Sequence, residues 1–196
     1  GLAYAVVGRL ALMLAIPPGY ATAIFPSAGI AVAALLIWGN RLWPGVLLGS
    51  LLLNIWVSSD QGPLTMVALA VASTAAVGAT VQALAGGWLV RRVIGYPTSL
   101  AVERDIIGFL LVAGPLACVI NASFGATALL ATQVINASEY AYTWFTWWVG
   151  DAIGVLITAP LMFILFAKPK ALWLSRRKSV ALPLLIMLVA EIVLFV

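Results

Sequence analysis

Of 196 residues, 64% are hydrophobic and only 8% are charged, against about a quarter charged in an ordinary soluble domain; water is therefore not the main solvent of this chain, because too much apolar surface would stay exposed. The formal charge of +4 comes from ten Lys and Arg against six Asp and Glu, and these cations sit between apolar runs, beside a membrane surface, which argues against nucleic acid as a partner. There is no histidine and no metal-ligand cluster, and the lone Cys118, inside an apolar run, makes no intrachain disulfide and reads as a small buried residue.

A hydrocarbon core about 30 Å thick takes roughly 20 apolar residues in helix, and seven such runs follow one another. The first ends near Ile16, the second covers Ile24 to Gly39 and the third Leu42 to Val57, the last two being short. The fourth runs from Leu64 to Leu89, the fifth from Ile106 to Thr132 and the sixth from Tyr142 to Ala167. The seventh begins near Val180 and is still running at Val196. The expected fold is all-α, a polytopic helical bundle forming one transmembrane domain over residues 1–196.

Between the first two runs, Ile16-Pro17-Pro18-Gly19-Tyr20 is followed by Phe25-Pro26-Ser27-Ala28-Gly29. Proline withdraws an amide and disfavours helix at the residue before it, so the backbone is broken twice. Broken backbone at membrane depth survives only where protein or a water-filled cavity satisfies it. The segment is either an external turn or the lining of a pocket.

Lys and Arg are retained on the cytoplasmic side. Arg41 lies in the second link, Arg91, Arg92 and Arg104 in the fourth, and Lys168, Lys170, Arg176, Arg177 and Lys178 in the sixth, so nine of ten cations fall in alternate links. The opposite links, Ser58 to Pro63 and Gln133 to Ala141, carry Asp60 and Glu139 and no cation. The expected topology starts in the cytoplasm. Gly45 with Gly49, and Gly150 with Gly154, have the spacing that lets backbones approach closely, and bundle packing is the expected use.

Ionisable groups within apolar runs are costly and hence functional candidates. Arg9, Asp151 and Glu191 qualify. Arg9 is expected to face inward, paired with a carboxylate in a recess it shares with Asp151. Trp144, Trp147 and Trp148 stand one to two turns from Asp151 and read either as an interfacial belt or as walls of that recess. Asn54, Gln82, Asn121 and Ser123 add uncharged polar groups that cross-link helices or converge on the same place. The candidate ligand-binding set is Arg9, Pro26, Ser27, Asn54, Asn121, Trp147 and Asp151. A cation, a carboxylate and aromatic walls suit a small polar or zwitterionic ligand. No nucleophile elbow, Walker loop or paired catalytic carboxylates occur, so no catalytic residue, metal or cofactor is expected and the chain is not read as an enzyme.

Phe25-Pro26-Ser27-Ala28-Gly29-Ile30, leading to Trp38-Gly39-Asn40-Arg41-Leu42-Trp43-Pro44-Gly45 and then Leu48-Gly49 and Asn54, resembles the opening signature of the first membrane-associated sensor (MASE) domain family. Trp147-Trp148-Val149-Gly150-Asp151-Ala152-Ile153-Gly154-Val155-Leu156, closing with Ala159-Pro160-Leu161, resembles its second signature, and Gln82-Ala83-Leu84 ahead of Arg91-Arg92 also fits. The resemblance implies a module of about eight helices in the bacterial inner membrane, fused to histidine kinase, diguanylate cyclase or c-di-GMP phosphodiesterase domains. It implies a sensory input that answers a small ligand, a lipid or a membrane protein partner by helix repacking, in a homodimer. A small-solute transporter or substrate-capture subunit, and a passive anchor and dimerisation module, are the competing readings.

Overall fold

Helix length divides this bundle into two classes. The computed structural model describes residues 1–13, 15–16, 21–98, 100 and 102–167, with five separate positions between 182 and 189. Most of the seventh apolar run, Glu191, the five cations after Ala167, and the Pro17-Pro18 pair lie outside the described residues. Among the described residues four helical segments are long and apolar enough to cross a membrane. They are α3 (Trp43–Gln61) with a 3₁₀ turn ahead of it (Asn40–Leu42), α4 (Met66–Val93), α5 (Glu103–Leu111) continued by α6 (Ala117–Ala131), and α7 (Ala137–Phe166).

The first two runs form α1 (Leu2–Leu12) and α2 (Pro26–Trp38), of 11 and 13 residues. At about 1.5 Å per residue each reaches only partway across a core about 30 Å thick. Of the seven full spans expected, four helices therefore have the length, and the shortfall in the first two follows from the broken chain between them. There Ala15–Ile16 pairs antiparallel with Ala21–Thr22, the one extended pairing among the described residues.

Local chemistry sets the ends of the long helices. Thr65 Oγ1 accepts from the Ala68 amide at 3.1 Å to start α4, and Glu139 accepts from the Asn136 amide at 2.8 Å in a capping box that starts α7. Between α5 and α6, Pro115 lacks the amide that a regular turn requires, and the chain passes through a five-residue π turn, Val112–Leu116. The Trp148 indole donates to the Pro115 carbonyl at 2.7 Å and fastens this kink to α7.

Packing is inverted relative to a water-soluble protein. Small residues dominate the interior (Ala28, Ala33, Ala83, Ala113, Ala122, Ala159), while Leu48, Trp88, Ile107 and Leu111 are more than half exposed, as expected where lipid, not water, covers the outside. Charges gather at the two ends. At one end Arg91 of α4 donates to the Leu35 carbonyl at 2.6 Å and to Asn40 Oδ1 at 2.9 Å, so a cation caps the last turn of α2, where orphan carbonyls and the negative end of the helix dipole lie. We refer to this as the cationic end; Asp60 and Glu139 lie at the opposite end.

Both glycine pairs are used inside the bundle. A Cβ on Gly49 would stand 2.6 Å from the Gly1 carbonyl and 2.9 Å from Tyr4 Cβ, so α1 lies directly on α3. A Cβ on Gly150 would stand 2.4 Å from the Thr22 carbonyl, and one on Gly154 2.0 Å from the Phe25 carbonyl. The second pair thus receives the extended chain leading into α2 rather than another helix, and α2 then runs alongside α7 until Trp38 meets Phe166, ring centroids 5.6 Å apart.

Candidate functional site

The chain entering α2 fixes the depth of the site. The Phe25 amide donates to the Gly150 carbonyl at 2.9 Å, and Gly150 lies at the middle of the 30-residue α7. The broken backbone therefore reaches the mid-level of the bundle, where one of its freed donors is satisfied by protein. Thr22 and Phe25 line a cavity at that level, together with Tyr4 and Leu12 of α1, Ser50, Leu53 and Asn54 of α3, Ala75 of α4, Asn121 of α6, and Thr146, Trp147, Gly150 and Asp151 of α7. Of the two readings left open by the sequence, the described part of the segment lines a pocket.

Asp151 is 4% exposed and is the one buried Asp, Glu, Lys or Arg among the described residues. A charge within the apolar core costs at least about 2.5 kcal/mol on the mildest scale, so its surroundings matter. Asn121 Nδ2 donates to Asp151 Oδ2 at 2.9 Å. Room for this arrangement comes from Gly78, where a Cβ would stand 2.8 Å from Asn121 Oδ1. No lysine or arginine is among the described lining residues.

Among the described residues three buried side-chain polar atoms are left without a partner: Asn121 Oδ1, Gln82 Oε1 and Trp147 Nε1. Asn121 and Trp147 line the cavity, whose volume is about 60 Å³, several times what one water needs. The Trp147 ring lies flat on α6, since a Cβ on Gly125 would meet it at 2.0 Å. A wider vestibule of about 390 Å³ shares Leu12, Asn54 and Trp147 with the cavity and reaches the turn between α3 and α4 at Gln61, Gly62 and Pro63. The vestibule borders the cavity at these residues and extends toward the end of the bundle that carries Asp60 and Glu139.

Four of the seven residues singled out from sequence, Asn54, Asn121, Trp147 and Asp151, meet at this cavity. Pro26 occupies the first turn of α2, and Ser27 Oγ donates to the Tyr4 carbonyl at 2.7 Å; neither lines the space, but both set the course of Phe25, which does. Arg9 is a correction. Its guanidinium pairs with Asp60 and lies 5.7 Å from the centroid of the Trp56 ring, away from the lining of the cavity. The physical reason is reach, because a long cationic side chain near a helix end extends to the polar boundary rather than into the core. The tryptophans do not form a simple belt either. Trp144 donates to Ser123 Oγ at 3.0 Å and stacks on Trp148 at 6.0 Å, which ties α7 to α6.

Sequence reading missed Tyr4, Thr22, Ser50 and Thr146. The available signal was spacing: Ser50 with Asn54, and Thr146 and Trp147 with Gly150 and Asp151, fall one turn apart on otherwise apolar helices, so each set shares a face.

No curated protein and no solved structure matches the chain. The MASE1 family model matches residues 1–196, so the apolar bundle, its mid-level break and the buried Asp151 are those of a chain that belongs to the MASE1 family of membrane-associated sensor domains.

Proposed function

We propose that this chain is the input domain of a bacterial signalling protein in the inner membrane, and that the stimulus acts at the Asp151 cavity. The observation that carries the reading is the cavity itself: a buried carboxylate without a cation at its lining, beside buried polar atoms that lack partners. Unpaired polar groups in such surroundings are expensive, and a site that keeps them is poised for an occupant. The retention of cations on the cytoplasmic side puts the vestibule on the outer face and α2's Arg91-capped end at the cytoplasm. A histidine kinase or a c-di-GMP enzyme is the output this input serves. An occupant shifts the packing of α1 and α2 only by its differential affinity for two arrangements; α1 lines the cavity through Tyr4 and Leu12, and α2 borders it through Phe25, the residue that leads into its first turn. In the full-length protein, Asp151→Asn is expected to alter the response of the output activity while membrane insertion and expression stay normal. An unchanged dose response in that variant refutes the reading.

Transport is a second reading, supported by the start of α2 at mid-level, since half-helices beginning there also mark substrate sites in carriers. Tyr4 borders both the cavity and a separate apolar crevice near the cationic end, which is where a second gate would stand. Uptake of labelled solute into proteoliposomes separates the two, because a receptor domain accumulates none. The passive-dimer reading is weakened by the glycine pairs, both of which are occupied within one chain.

A further inference from the structure

We infer that the occupant of the Asp151 cavity is a small organic cation, with a primary ammonium at Asp151 and its apolar part in the vestibule; this rests on the cavity being the stimulus site. The case begins with hydrogen-bonding capacity. Asn121 gives its Nδ2 to Asp151, which leaves its buried Oδ1 free to accept, and no partner takes it. Asn54 gives its Nδ2 to the Ser50 carbonyl at 2.9 Å, so its oxygen is likewise an acceptor at the lining. With the carboxylate, three lining residues carry acceptors, and an alkylammonium offers three donors and no acceptor.

Charge narrows the class further. A zwitterion needs a cationic partner for its anionic half, and the residue that sequence reading assigned to that task, Arg9, is engaged with Asp60 and Trp56. Among the described lining residues the cavity is left with one negative charge, and Trp147 adds an aromatic ring, a kind of group whose face attracts a cation. Size and shape separate an organic from an inorganic cation. A space of about 60 Å³ admits an ammonium head with a water to accept from Trp147 Nε1, whereas the adjoining vestibule of about 390 Å³ has Val57, Val71, Leu129 and Val134 in its wall. An alkali ion has no use for that apolar wall, and an alkyl chain buries against it.

The test is calorimetric titration of the purified protein in lipid nanodiscs with butylammonium chloride, with butyrate, γ-aminobutyrate and sodium chloride at matched ionic strength as comparisons. Butylammonium should bind saturably, butyrate should not, and Asp151→Asn should weaken butylammonium at least tenfold. Asn54→Leu, which leaves the carboxylate and its Asn121 bond in place, should weaken it several-fold, and Arg9→Gln should leave it unchanged. Absence of saturable butylammonium binding, or binding indifferent to both Asp151→Asn and Asn54→Leu, overturns the inference. Tighter, Asp151-dependent binding of γ-aminobutyrate or of sodium overturns the organic cation while leaving the cavity as the stimulus site. Should Asp151→Asn abolish butylammonium binding without altering the output response of the full-length protein, the cation site stands and the sensory reading fails.

Discussion

Gly154 offers the sharpest test of how the bundle is built, because two effects of opposite sign compete there. Replacing a helical glycine with alanine ordinarily stabilises by up to about 1 kcal/mol. At Gly154 the new Cβ would stand 2.0 Å from the Phe25 carbonyl oxygen and 2.5 Å from its carbon. Backbone, not a flexible side-chain tip, has to retreat by about 1 Å to reach the 3.0 Å that a Cβ tolerates. Overpacking of this kind costs about 1–3 kcal/mol, and moving Phe25 also endangers its bond to the Gly150 carbonyl, a further 0.5–1.5 kcal/mol or so. The clash wins, and Gly154→Ala should be less stable by about 2 kcal/mol. Gly87→Ala is the control, since its nearest neighbour, Arg91, lies at an ordinary 3.5 Å; it should be neutral or slightly stabilising. Thermal unfolding in detergent, followed by far-ultraviolet circular dichroism, reads both. A midpoint for Gly154→Ala at or above that of the parent protein would refute the placement of the Phe25 segment on α7.

The Arg9–Asp60 pair is part-exposed, at 29% and 44%, so a double-mutant cycle should give a coupling below about 1 kcal/mol; a coupling of several kcal/mol would mean a dry pair and a different depth for α1. Trp147→Phe removes a buried donor that has no partner, together with outer ring atoms that lie on Gly125; the lost packing outweighs the relief, and the unfolding midpoint without ligand should fall, by about 1 kcal/mol in stability. A midpoint at or above that of the parent protein would show that the ring does not pack on Gly125.

What the sequence disclosed and what it hid follow one division. The long helices were legible because an apolar run of sufficient length has one solution in lipid, and α4 and α7 fall close to the runs read for them. The intended use of the polar residues on rigid helix middles was legible for the same reason: Asn121 and Asp151 have nowhere to go but inward. Arg9 was misread because a side chain with four rotatable bonds escapes the position of its own Cα, and the sequence gives no sign of whether Asp60 or Asp151 lies in reach. The double break before α2 was visible as prolines, but its depth was not. That depth depends on Gly150 and Gly154 accepting extended chain instead of a helix, and the four-residue glycine spacing does not distinguish the two partners.

The short α2 packs along α7 as far as Trp38 and is hydrogen-bonded to different helices at its two ends, and this bears on how occupancy of the cavity would be felt elsewhere. Its first turn hangs on α7 through the Phe25–Gly150 bond, immediately beside Asp151. Its last turn hangs on α4 through Arg91, which holds the Leu35 carbonyl and Asn40. A 13-residue helix is stiff over this length, so a shift of Phe25 caused by an occupant is carried about 20 Å to the cationic end. On the proposed function Arg91→Ala should therefore separate binding from response. The loss of stability should be modest, about 1 kcal/mol for charge-assisted bonds at a partly exposed site, and cation affinity at the cavity should be unchanged, because Arg91 touches none of its lining. The output of the full-length protein should respond weakly or not at all to the same occupancy. A variant that binds and responds like the parent would show that α2 is not the element that carries the signal, and α1, which meets the entry to α2 through the Ser27–Tyr4 bond and the Tyr4–Phe25 ring contact, would become the better candidate.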